Sequence, residues 1–168
     1  MAIDADNNVW VVDGSSGQIF LFDRGGNLRT NWTPSGGGSL TAAEGIAVYE
    51  DSRNTFVYVS DRSKNQVLKY EYTGDSSSGL SFITSAGSQG GGSNSFNEPM
   101  GIAADGCGNI WVADRINNRV QQLDKDLSFR SRFSASLNRP TGVAVSADGK
   151  FLYVVDASND RIQQFDLR

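Results

Sequence analysis

Four times along the chain a short apolar run ends in an aspartate, passes through a polar loop and re-emerges as a second run opened by Gln or Arg. The four phrases are Val9–Asp23, Val57–Glu71, Ile110–Asp124 and Leu152–Asp166. The first runs do not alternate apolar and polar cleanly, as expected for strands buried on both faces. A small-residue, β-branched run precedes each phrase: Ala2-Ile3-Asp4, Gly45–Val48, Gly101–Ala104 and Gly142–Val145. A less regular run follows three of them, at Asn27–Trp32, Leu80–Thr84 and Phe129–Phe133. Polar turns rich in Asn, Asp and Gly separate the runs, because these residues tolerate positive φ and bond their own backbone. The units are named strands a, b, c and d in chain order. Ile116, Val120, Leu123 and Leu127 also fit a helical stripe. The aligned copy Gln18–Phe22 is β-branched and aromatic without that spacing, so the strand reading is kept.

Asp13, Asp61, Asp114 and Asp156 mark the repeat, with a period of roughly 40–55 residues, which belongs to propellers, solenoids or arrays. The expected fold is all-β: a β-propeller of four-stranded antiparallel blades. The blades are placed at about 1–34, 43–86, 99–135 and 140–168, and the last lacks its outer strand. Trp10, Tyr58, Trp111 and Tyr153 fall at one position of strand b, so all four are expected to be buried between blades. An antiparallel meander sends the b–c and d–a loops to one face of the ring and the a–b and c–d turns to the other. The Gly/Ser-rich segments Pro34–Thr41 and Ser85–Asn97 read as mobile loops between blades. An open ring would leave the outer faces of blades one and four bare. Completion by further sequence or by a second copy giving eight blades is expected.

Composition changes this picture little. The 168 residues carry net charge −4, which argues against binding driven by phosphate neutralisation. There is no histidine, which removes the commonest general base and zinc ligand. Cys107 is the single cysteine, so no internal disulfide forms and the redox compartment stays open. No apolar stretch approaches the roughly 20 residues of a membrane span. Asn31-Trp32-Thr33 is a formal glycosylation sequon, a slight pointer to an extracellular address that is otherwise unknown. Gly87–Gly92 is followed by no Lys-Ser or Lys-Thr pair and is not a phosphate loop. Asp4, Asp6 and Asn8 lack the turn glycine and distal glutamate of a calcium loop and read as a hairpin turn.

Pro-x-Gly-Ile-Ala, Gly-Asn-Ile-Trp-Val-Ala-Asp and Asn-Asn-Arg-Val, all within Pro99–Asp124, resemble the NHL-repeat family of β-propellers. Pro140–Asp166 is nearly as close. The second copy departs from the pattern by Gln66 in place of Arg and by an insertion at Asp75–Gly79, and the first carries Gln18. The resemblance implies a propeller, typically of six blades, and says little about function, since propellers host unrelated tasks. Amidating lyases of this family rely on histidine-bound metal, which this chain cannot supply. Lactonase-like propellers hold calcium on carboxylates along the ring axis; no cofactor is expected here, with calcium the one possibility the resemblance leaves open.

The recurrent aspartates are read as staples that accept backbone N–H groups in their own loops. Asp114–Arg119 and Asp156–Arg161 add an arginine five residues on, while Asp13 and Asp61 lack it. Arg62 and Arg115 follow the aspartate in only two copies, and with Asn65 and Asn118 they are the candidates for a ligand face. Arg115 through Arg139 is locally basic, but Arg130 and Arg132 belong to an outer strand, and RNA binding is disfavoured. The expected function is a non-catalytic interaction or structural module that binds a protein or other ligand through the face carrying the b–c and d–a loops, or that self-associates. The alternatives are a propeller enzyme of lyase or lactonase type, using a metal on carboxylates, and an RNA-binding domain.

Overall fold

In the computed structural model, which describes residues 1–74 and 79–167, four antiparallel sheets stand side by side around a common axis. Blade 1 comprises β1 (Ala2–Ile3), β2 (Val9–Asp13), β3 (Gln18–Phe22) and β4 (Leu28–Trp32). Blade 2 comprises β5 (Ala43–Glu50), β6 (Thr55–Asp61), β7 (Gln66–Tyr72) and β8 (Leu80–Ala86). Blade 3 holds β9 (Pro99–Ala104), β10 (Ile110–Asp114), β11 (Arg119–Leu123) and β12 (Phe129–Phe133). Blade 4 is three-stranded: β13 (Pro140–Val145), β14 (Phe151–Asp156) and β15 (Arg161–Asp166). Within each blade the strands pair in sequence order, so the fold is a β-propeller built of meanders. Of the insertion at Asp75–Gly79, residues 75–78 lie outside the described residues. The helical stripe at Ile116–Leu127 is strand and turn instead, with β11 paired on both sides.

The innermost strands approach closely. A Cβ on Gly101 would stand 2.8 Å from the Gly142 Cα, and one on Gly45 would stand 2.8 Å from the Met100 carbonyl oxygen. That approach, rather than a turn, requires the glycine that opens strand a. Small residues continue inward, with Ala47, Ala103 and Ala144 paired opposite Tyr58, Trp111 and Tyr153.

Hydrophobic packing runs between blades. Trp10, Ile19 and Leu21 of blade 1 meet Val57, Val59 and Leu68 of blade 2. Tyr58 and Val67 of blade 2 meet Ile110 and Val112 of blade 3. Trp111 and Val120 of blade 3 meet Leu152 and Val154 of blade 4. At the periphery Trp10 stacks on Trp32 at 5.8 Å between ring centroids, and Tyr72 of the next blade stands edge-on to both. At the third junction Phe133 lies tilted against Trp111 at 5.6 Å, and Phe165 of the next blade stands edge-on to Phe133.

Trp10, Tyr58 and Trp111 are buried as the repeat predicts, but Tyr153 is 37% exposed. The reason is positional: its face of blade 4 has no further blade against it. β14 alternates accordingly, with Leu152 and Val154 buried on blade 3 and Tyr153 and Val155 bare. The Gly/Ser-rich segments are also better tied than a mobile loop would be. Phe96 is fully buried, Gly90 N–H donates to the Phe96 carbonyl, and Gly36–Gly38 form a 3-10 turn under Phe82.

Trp111→Ala is expected to cost about 3–5 kcal/mol, as for other large-to-small core changes. Tyr153→Ala should cost under about 1 kcal/mol, since truncation at a half-exposed site leaves no cavity. Urea denaturation of the two variants checks the difference, and equal losses would refute the stated register.

Candidate functional site

In blades 2, 3 and 4 the b–c loop lies against the d–a lead-in of the same blade. Arg62 N–H donates to the Ala42 carbonyl, Arg115 N–H to Glu98 and Ser158 N–H to Asn138. One face of the ring therefore gathers both loop classes, and the recurrent aspartate sits beneath it. Asp61 accepts the N–H groups of Thr41 at 2.6 Å and Lys64 at 3.0 Å. Asp114 accepts Asn97 N–H at 2.7 Å, and Asp156 accepts Asn138 N–H at 2.6 Å. Asp13 is held within its own loop, by Ser15 and Ser16. Bonds from those two serines hold its carboxyl well below the usual carboxylate range.

The arginine five residues on completes the staple in blades 3 and 4. Arg119 Nε donates to Asp114 at 2.7 Å, and both side chains are buried. The rest of its guanidinium donates to the carbonyls of Gly91, Gly92 and Ser95, so one side chain clasps the loop that leads into blade 3. Arg161 Nε donates to Asp156 at 2.8 Å, but this side chain is 47% exposed and, among the described residues, reaches one loop carbonyl, that of Ser136. Blade 2 lacks the arginine. Its Gln66 turns to the Gly87 carbonyl, and Lys64 Nζ reaches Ser39 of the loop leading into that blade. Burial raises the Asp156 carboxyl, but bonds from Asn138, Asn159, Arg161 and Gln163 outweigh it and hold the carboxyl far below the usual range.

The ligand-face candidates occupy equivalent places on neighbouring blades. Arg62 Nε pairs with Glu44 at 2.7 Å, and Arg115 pairs with Glu98. Both pairs are partly exposed. Asn65 and Asn118 adopt left-handed backbone, with φ of 55° and 53°. Their side-chain oxygens accept the N–H groups of Glu98 and Arg139, each in the lead-in of the following blade. The two asparagines thus tie one blade to the next, and the two arginines remain as charged groups of the face.

Several polar ties are not evident from the repeat pattern alone. Asp105 accepts the Trp111 indole N–H at 3.2 Å, and Asp4 accepts that of Trp10 at 2.9 Å. The Asp-x5-Trp spacing, present twice, is the signal for this bond. Asp4 also accepts both nitrogens of Asn8, which accounts for that acidic turn as a hairpin closure. Gln121 and Gln163, two residues beyond the staple arginines, donate to Asp114 and Asp156. Lys69 is buried over the Phe56 ring at 4.1 Å and bonds Asp126 of the next blade at 2.8 Å. That bond lowers the Asp126 carboxyl.

On the opposite face a pocket of about 480 Å³ opens between blades 3 and 4 beside Trp111, Phe133 and Leu167. Its carboxylates are already engaged. Asp105 accepts Cys107 N–H and both nitrogens of Asn109 besides the indole, and a bond from Ser146 lowers Asp148 to about 2. Among the described residues no group of three or more Cys, Asp or Glu is placed to hold a metal ion.

Comparison with known proteins agrees with this geometry. The NHL-repeat family model matches residues 137–165. The chain is a β-propeller, and its residues 137–165 match the NHL repeat. It is 35% identical over 81 residues to NHL repeat-containing protein 3 of Homo sapiens, a match covering 45% of this chain and 23% of that protein. It is 46% identical over 50 residues to Protein lin-41 of Caenorhabditis elegans, covering 30% of this chain and 4% of that one. The matched stretches therefore span under a quarter of either relative. Among solved structures, hydrazine synthase of Kuenenia stuttgartiensis superposes with a TM-score of 0.74 at 18% identity, over 99% of this chain and 45% of that one. A streptogramin B lyase superposes with a TM-score of 0.63 at 15% identity, over 99% and 53%. Both likenesses concern the fold alone.

Arg119→Ala is expected to lower stability by about 3–5 kcal/mol, because Asp114 stays buried without its charge partner. Arg161→Ala should cost about 1 kcal/mol or less, solvent already screening that pair. Denaturant midpoints check the order. A second expectation concerns acid. The folded-state pKa of Asp156 is depressed, so its contribution is present above about pH 4, where the unfolded carboxylate is ionised, and is lost as pH falls. Asp156→Asn should flatten the decline of stability below pH 4 expected of the parent chain, as read by thermal melts across pH.

Proposed function

We propose that this propeller is a non-catalytic interaction module that binds a protein ligand through the face carrying the b–c and d–a loops. The observation that carries this reading is the division of labour on that face. The aspartates, Arg119 and the two asparagines are engaged in holding backbone, whereas Arg62 and Arg115 reach the rim at equivalent positions of adjacent blades, each beside a glutamate. A rigid surface bearing alternating positive and negative groups favours a partner with matching charges, because ordering costs little and wrong partners meet like charge. The net charge of −4 and the pairing of both arginines with carboxylates favour a polypeptide over a nucleic acid. The relatives' names concern those proteins, and no specific partner follows from them.

The test is capture by chemical cross-linking from a lysate, followed by direct binding of the recovered partner. Arg62→Glu with Arg115→Glu should weaken binding at least about tenfold, in line with loss of central charged contacts, while leaving the melting temperature within about 2 °C. Undiminished affinity in the double variant overturns the assignment of this face. Retention only of RNA, abolished by moderate salt, replaces it with the nucleic-acid reading.

A further inference from the structure

Two lead-ins on the loop face are built alike and charged oppositely. Glu98 and Arg139 each stand three residues before the glycine of strand a, and proline follows each of them. Both adopt left-handed backbone, with φ of 54° and 49°, a conformation that costs energy for a residue with a side chain. Both offer their N–H to an asparagine of the preceding blade, Asn65 at 2.9 Å and Asn118 at 2.8 Å. Backbone held in the same way sends the two side chains out in the same direction from their blades.

What meets those side chains differs. In blade 3 the Glu98 carboxylate pairs with Arg115, the residue after the staple aspartate. In blade 4 that place is taken by the uncharged Ala157. Arg139 is exposed, and among the described residues its guanidinium has no ion pair and no hydrogen bond. Asp160 lies in the adjoining b–c loop and does not pair with it. In blade 2 the lead-in position is the neutral Ala42, and Arg62 pairs with Glu44 instead. From blade 2 to blade 4 the face thus presents two closed ion pairs and then an open arginine. Asn118 links the last two: its N–H donates to the Arg115 carbonyl, and its side-chain oxygen accepts Arg139 N–H. A strained, anchored backbone that carries an unpaired charge is the arrangement expected where a ligand supplies the missing partner.

We propose that Arg139 receives an acidic side chain of the polypeptide bound at this face. The ligand's carboxylate closes with Arg139 the kind of ion pair that Glu98 and Arg115 close within blade 3. This rests on the loop-face reading and adds the chemistry of the partner and the place where it is read. A guanidinium suits a carboxylate because two parallel N–H bonds can reach its two oxygens. Glu44 and Glu98 repel the same carboxylate from the neighbouring blades, so the acidic residue is directed to the junction of blades 3 and 4. The orientation of the ligand on the face follows from that choice.

Selection from a random peptide display library on the 168-residue chain tests it. Peptides that bind the parent and lose binding to the Arg62→Glu, Arg115→Glu double variant report on the face. Among them an Asp or Glu is expected at one recurrent position. Arg139→Glu should weaken their binding at least about tenfold, the effect of losing a close charged contact. The melting temperature should stay unchanged, because the fold uses the Arg139 backbone and not its guanidinium. Replacing the peptide's acidic residue by Lys should restore binding to Arg139→Glu. Face-dependent peptides without an acidic residue, or with equal affinity for parent and Arg139→Glu, overturn the proposal and leave the loop-face reading standing. So does a lysine swap that fails to restore binding. Retention of poly(U) that Arg139→Glu abolishes, with no acidic peptide recovered, overturns it in favour of a phosphate ligand. If no selected peptide depends on Arg62, Arg115 or Arg139, the proposal and the loop-face reading fall together.

Discussion

Each blade is a thin sheet with apolar side chains on both faces, and no blade can bury both by itself. Sheet-to-sheet contact between neighbours is therefore the constraint on which the molecule depends. It explains why strand b is a continuous apolar run instead of an alternating one, since every residue of β10 is buried. It explains the aromatic at one position of each blade, which spans the gap between sheets that diverge from the axis. It also explains why the innermost strands begin with glycine: sheets that converge toward the axis leave no room for a side chain there.

Polar groups at the blade rims work within that constraint. A buried aspartate at the end of strand b would be costly alone, but in blades 2, 3 and 4 it gathers N–H groups from both its own loop and the incoming strand. The carboxylate thereby fixes where one blade's chain enters relative to where the previous strand ends. Ties across the junction do the same from blade to blade: Asn65 to the Glu98 backbone, Lys69 to Asp126, and the Tyr58 hydroxyl to the Lys125 carbonyl at 2.8 Å. Apolar contact sets the stacking, and these bonds set its register.

The repeat made the fold legible in the sequence, because the same physical problem is solved four times and chance similarity does not recur in phase. Asp114–Arg119 and Asp156–Arg161 were visible as a fixed spacing between residues that bond across a hairpin. The exposure of Tyr153 was not visible, because a position in a repeat reports the strand it lies on and not whether another blade stands beyond it. Asn65 and Asn118 show the converse. On sequence grounds they are polar residues of an outer loop, and only the fold brings the next blade's backbone within reach of their side chains. Lys69 likewise gave no signal, since its aromatic neighbour and its acidic partner come from different strands and different blades.

The grip of Arg119 on the loop before blade 3 has a consequence for how that loop can vary. All three loop groups it holds are backbone carbonyls, those of Gly91, Gly92 and Ser95. Such an anchor is indifferent to side-chain identity. The left-handed turn at Gly87, φ 117°, and the buried ring of Phe96 bound the stretch at either end. Between those two fixed points the residues that face solvent are released from any duty to hold the loop in place. Substitution there alters what the surface displays and leaves the frame that displays it intact, a separation of support from content that lets one scaffold carry many different messages.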